Sequence, residues 1–152
     1  MSLKRLSKAD TLIYLEKYQN RLKFIIPKSF VFKFKNYKLN KNTILKIITK
    51  KFYKKKIIIR SSSVKEDQFN NSLAGSYDSF SNIKFDKKLI DKYINLVAKK
   101  FINMSDQILI QEYINDVDKA GVVFTRNLNN NAPYYYINYD TSGKTNYVTS
   151  GA

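Results

Sequence analysis

Between Ser61 and Ser79 the chain abandons the apolar periodicity that surrounds it. Serine, asparagine and aspartate dominate this stretch, with one glycine at position 75. A structureless connection of that length is exceptional inside a compact domain and points either to function or to disorder. It also divides the chain. Ahead of it, Lys56 to Arg60 is rich in β-branched residues and reads as a strand that delivers Arg60 at its end. Behind it, Asp86 is placed to cap a helix with Leu89, Ile90, Tyr93, Ile94, Val97 and Phe101 on one face.

The remaining elements follow from periodicity and punctuation. Ser7 with Asp10 forms a helix-start signal, and Leu12, Leu15, Tyr18 and Leu22 recur at helical spacing. Pro27 ends that helix and opens an extended run through Phe30, Val31 and Phe32. Asn42 is expected to cap a second helix bearing Ile44, Leu45, Ile47, Ile48 and Phe52. Strands are expected over Gln107 to Ile114, Gly121 to Arg126 and Tyr134 to Tyr139. Asn129, Asn130 and Asn131 turn the last two into an antiparallel hairpin. Helices early and hairpins late predict an α+β fold with about three helices on an antiparallel or mixed sheet. At 152 residues the chain is expected to form a single domain over residues 1–152. It stops on Thr149, Ser150, Gly151 and Ala152 with no closing element, which reads as a domain cut short.

Composition narrows the chemistry. The chain contains neither cysteine nor histidine, so disulfides, thiolate metal sites and imidazole catalysis within it are excluded. Apolar runs such as Ile57 to Ile59 are far too short for a membrane span, and the reading is a cytoplasmic protein. The net charge of +16 raises a nucleic-acid-binding module as the alternative function. Against it, only Arg5, Arg21, Arg60 and Arg126 are arginine; lysine supplies the rest, whereas forked contacts to phosphate and guanine favour arginine. Tyr134, Tyr135, Tyr136 and Tyr139 could stack on bases, but alternation on a hairpin is more simply sheet packing, one face in and one face out.

The stretch from Arg60 carries the most specific pattern. A strand-end arginine offers a rigid fork of donors to a polyphosphate, and serine hydroxyls with the unhindered backbone at Gly75 can add more. The competing reading pairs Arg60 with Glu66 or Asp67 to pin the loop. Arg60, Ser61 and Ser62 precede Glu66 and Asp67, which are followed by Ser72, Ala74, Gly75 and Asn82. In that spacing the stretch resembles the signature of the nucleotide-binding domain of the phosphoenolpyruvate synthase and pyruvate phosphate dikinase family. Lys8, the run Pro27 to Phe32, Gln111 and the run Gly121 to Arg126 extend the likeness to both sides.

The resemblance implies the N-terminal part of an ATP-grasp-type domain, with ATP and Mg2+ as cofactors. It implies that Lys8 and Arg60 contact the ATP phosphates and that Gly75, Asp78 and Ser79 lie over the triphosphate. It places Gln111 and the backbone near Tyr113 and Ile114 at the adenine pocket. Each has a plainer alternative: a solvated helix-start lysine at Lys8, a strand-edge closure at Gln111, a core tyrosine at Tyr113. Arg126 is open between an acidic partner and a ligand. The family passes phosphoryl through a histidine on a separate C-terminal domain to pyruvate or another small acceptor. No catalytic or metal-ligating residue is therefore expected within this fragment, which is expected to be inactive alone. The run Gly143 to Gly151 departs from the family pattern, with Asn146 where a glutamate is usual and Thr145 replacing a glycine, and so leaves the acceptor open.

Overall fold

Three consecutive isoleucines, Ile57, Ile58 and Ile59, suit a pleated strand better than a helix, because branching at Cβ restricts their side chains. In the computed structural model, which describes residues 6–62, 79–127, 129–143 and 148, they lie inside the main sheet. The chain divides into two compact units, Met1–Tyr113 and Ile114–Ala152. All four described helices and four of the strands fall in the first: α1 (Lys8–Glu16), α2 (Gln19–Leu22), β1 (Ser29–Lys33), α3 (Phe34–Lys51), β2 (Ile57–Ser62), β3 (Ser79–Ile83), α4 (Lys87–Ala98) and β4 (Gln107–Glu112). The second holds β5 (Ala120–Phe124) and β6 (Tyr136–Asp140).

In the first unit the strands run in the order β1-β4-β2-β3, every pair antiparallel. Alternation sends Phe32, Ile57, Ile59, Ile108 and Ile110 to one face. There they pack against Tyr37, Ile44, Leu45, Ile48 and Phe52 of α3 and its end, and Ile90, Ile94, Val97 and Ala98 of α4. Each fully buried isoleucine contributes about 1.5–3 kcal/mol by leaving water, so this helix-on-sheet layer holds the unit. The protein is α+β, as its sequence predicts.

Local departures have local causes. The expected helix to Leu22 breaks at Lys17 and Tyr18, whose N–H groups reach back to Tyr14 and Leu15 in tight three-residue closures. Lys23, at φ +50°, ends α2 in the left-handed region. Asn42 does not open α3, which begins at Phe34 and only kinks at Asn40 (φ −130°, ψ 38°). The N–H groups of Phe34 and Lys35 donate to the carbonyls of Asp106 and Met104, at 3.0 and 2.8 Å, so the early start leaves neither of these donors orphaned. Asp86 does cap α4, accepting the Leu89 N–H at 2.7 Å. In the second unit β5 and β6 form the expected hairpin, with Val123 opposite Ile137 and Phe124 opposite Tyr136. The Asn127 side chain accepts the Asn129 and Asn130 N–H groups within the turn.

Candidate functional site

The face of the sheet turned away from α3 and α4 is defined by register. Ile58, Arg60 and Ser62 of β2 stand opposite Gln111, Leu109 and Gln107 of β4. Leu109 and Gln111 stand in turn opposite Val31 and Ser29 of β1, and Arg60 opposite Ser79 of β3. Arg60 is thus not at a strand end. The ladder continues to Ser62, and the arginine sits in an interior strand, half-buried, flanked by neighbours on both sides.

The start of α1 is fastened to this face. Ser7 caps the helix by accepting the Asp10 N–H at 3.1 Å. Its hydroxyl lies 2.8 Å from both Asp10 Oδ2 and Gln107 Oε1 and shares its hydrogen between them. Gln107 Nε2 donates to Asp10 Oδ1 at 3.1 Å, and the Ala9 N–H donates to Ser62 Oγ at 2.9 Å. Ser7 and Ser62 are almost wholly buried. Fastened there, α1 borders a cleft of about 330 Å3 against β2 and β4, lined by Leu6, Lys8, Thr11, Leu12, Arg60 and Leu109.

Lys8 and Arg60, more than fifty positions apart in the chain, therefore line one hollow. Among the described residues no carboxylate forms an ion pair with Arg60. Half-burying a guanidinium is costly, and an anion offered to its planar fork of donors relieves that cost. The three leucines lower the local dielectric and strengthen such an attraction.

The other expected site residues are distributed unevenly. Ser79 is exposed and pairs with Arg60 across the β2–β3 ladder. Gln111 is buried on the same sheet face but does not line the cleft. The Tyr113 N–H prolongs the ladder by donating to the Lys56 carbonyl at 2.9 Å; its side chain is half-buried. Ile114 is exposed and begins the second unit. Gly75 and Asp78 lie outside the described residues, as do Glu66, Asp67 and Asn146. Arg126 donates from Nη1 to the Asn131 carbonyl at 3.4 Å within its own turn. Tyr134, Tyr135, Tyr136 and Tyr139 do not bury one face as expected: all four are exposed.

Sequence reasoning missed Gln107 and Leu109 as parts of this site, and named Ser62 within the signature as a hydroxyl donor rather than as the acceptor of the Ala9 N–H. The available signal was parity: Ser62 shares a strand face with Arg60, and Gln107, Leu109 and Gln111 share one with each other. What no parity supplies is the pairing of β2 with β4.

The first unit is thus an α+β layer with a hollow between its first helix and its sheet, lined by one lysine and one arginine. Residues 8–106, more than half of the chain, match the family described as pyruvate phosphate dikinase, AMP/ATP-binding domain, and the chain belongs to that family. It is accordingly an ATP-binding domain of the type found in pyruvate phosphate dikinase and phosphoenolpyruvate synthase. The match takes in Lys8, Arg60 and Ser79 and stops before Gln111. No curated protein matches the chain. Among the described residues no helix is long and apolar enough to cross a membrane, and no group of three or more potential metal ligands gathers.

Proposed function

We propose that the cleft under α1 receives the phosphates of Mg-ATP, with Lys8 and Arg60 as the two cations that neutralise them. The observation that carries this reading is the meeting of both residues in one hollow. Its volume lies at the lower end of ligand pockets, which run from about 300 to 1,000 Å3. That suits a phosphate chain better than a whole nucleotide. Gly75, Asp78 and Ser79 are the proposed further phosphate contacts, and Gln111 with the Tyr113 backbone the proposed adenine contacts. The described lining offers a lysine, an arginine, a threonine and leucines, not the several hard oxygens that a divalent cation needs. Magnesium is therefore proposed to arrive on the nucleotide.

On this reading the domain is the nucleotide-binding part of an ATP-grasp-type phosphotransferase in the cytoplasm. Phosphoryl transfer depends on positioning and on cationic stabilisation of developing charge, and Lys8 and Arg60 supply that. The chain has no histidine, so the proposed phosphohistidine carrier belongs to another domain. The final acceptor is pyruvate or another small molecule, an amide such as glutamine among them. Calorimetric titration of Mg-ATP against the chain and its Arg60→Ala form tests the cleft. Losing one charged contact should cost about 1.5–3 kcal/mol, about ten- to hundredfold in affinity. Equal affinities would remove Arg60 from the site.

The four exposed tyrosines favour a second reading, a surface on which bases stack. Filter retention of single-stranded RNA at physiological salt, unaffected by Mg-ATP, is the result that would support it.

A further inference from the structure

A lysine helps bind an anion only if it is held within reach, and Lys8 sits on a helix poorly equipped to hold itself. At nine residues α1 is shorter than an isolated helix that persists in water. Of its own residues only Ala9 is buried, while Ile13 and Tyr14 are exposed. Leu12 and Leu15 are only half-buried, so packing of an apolar face seats it in part. Polar contacts at its first turn do more. Gln107 receives the Ser7 hydroxyl on one atom of its amide and donates to Asp10 from the other. Ser62 accepts the Ala9 N–H, one of the orphan donors at the helix start.

Ser62 and Gln107 are themselves cross-strand partners, one step along the ladder face from the pair Arg60 and Leu109. We infer that Gln107 and Ser62 are positioning residues for the cleft: they latch the start of α1 to the strand pair that presents Arg60, and so fix the separation of the two cations. The inference rests on the phosphate-binding reading of the cleft. The latch touches no ligand. Its contribution is preorganisation, sparing the bound state the cost of ordering Lys8.

The chemistry of the latch prescribes its own disruption and repair. Gln107→Glu sets a carboxylate against Asp10 and opens it. Asp10→Asn combined with Gln107→Glu restores a donor facing an acceptor between the two side chains without changing net charge from the native chain. The test is calorimetric binding of Mg-ATP by the full chain, with and without Lys8→Ala in each background. Gln107→Glu should weaken binding about tenfold in the native background and less than about twofold once Lys8 is alanine, because the two changes remove one shared benefit. The double substitution, Asp10→Asn with Gln107→Glu, should recover most of the native affinity. Should Gln107→Glu fail to fold by circular dichroism, Ser62→Ala carries the same comparison. A loss of equal size with and without the Lys8 amine overturns the inference, as does an Arg60-dependent affinity that neither latch substitution alters. Absence of any ATP binding by the native chain overturns the phosphate reading and the latch together.

Discussion

Tyr37→Phe, a change of one oxygen atom, should loosen the packing of α3 against α4. The Tyr37 side chain is almost wholly buried, and its hydroxyl donates to Asp91 Oδ1 at 2.6 Å. Asp91 also accepts from Lys41 Nζ on Oδ2 at 2.7 Å and from Asn95 Nδ2 on Oδ1 at 2.9 Å. A hydrogen bond to a charged group is worth about 1.5–3 kcal/mol. The Asp91 side chain is 26% exposed, so water can replace part of what the phenol gave, and about 1–2 kcal/mol is expected. Urea unfolding followed by far-UV circular dichroism reads this directly, since all four described helices lie in the first unit.

The pH dependence provides a second readout. Burial raises the Asp91 carboxyl, but hydrogen bonds from Lys41, Tyr37 and Asn95 and the Lys41 charge outweigh it and hold the group below its ordinary value. Burial, then the neighbouring carboxylate, keeps the Tyr37 phenol protonated well above its usual range. A depressed carboxyl stabilises the fold above its unfolded pKa of about 4, and that contribution disappears as the pH falls through the lower folded value. The gap between native and Tyr37→Phe stability should thus be full at neutral pH and narrow in acid. A gap below about 0.3 kcal/mol at neutral pH, well short of a charged hydrogen bond, or one that widens in acid, would refute the reasoning.

Gly121→Ala should disrupt the hairpin of the second unit, because its Cβ would come 2.5 Å from the Asn138 carbonyl oxygen and 3.0 Å from Tyr139 Cβ. A cost of about 1–3 kcal/mol is expected, seen as lost amide-exchange protection in β5 and β6; unchanged protection there would contradict it. Asp86→Ala should lower helix stability by about 1 kcal/mol through loss of the α4 cap, measured by thermal melting, with Asp86→Asn close to native.

What could be read from the sequence was whatever a single element states by itself. Ser7 and Asp86 announce helix starts, Ile57 to Ile59 announce a strand, and α4 shows its buried face through Ile90, Ile94 and Val97. The elements that escaped are those decided by partners. The segment from Phe34 to Asn40 is rich in lysine and asparagine, and its helix is drawn out by burying Phe34 and Tyr37. β3 hides its core residues at an odd spacing, Phe80 and Ile83. Asn82, at φ +57°, accompanies a register irregularity that sets these residues opposite Ile59 and Ile57, only two positions apart. The site was half legible for the same reason. Lys8 and Arg60 could each be named, but what brings them together, the bonds from the start of α1 to Ser62 and Gln107, spans 53 and 100 positions of chain and is not encoded in local pattern.

The position of β4 has a consequence for how the protein is made. This strand lies between β1 and β2 yet is the last of the four to leave the ribosome. Until residues 107–112 emerge, β1 lacks its partner in the sheet, and β2 presents one bare edge of amide and carbonyl groups. Nascent chains in that interval are exposed to mispairing and to chaperones. Gln107 arrives with the same strand, so its bonds to Ser7 and Asp10 at the start of α1 form only after residues 107–112 have emerged.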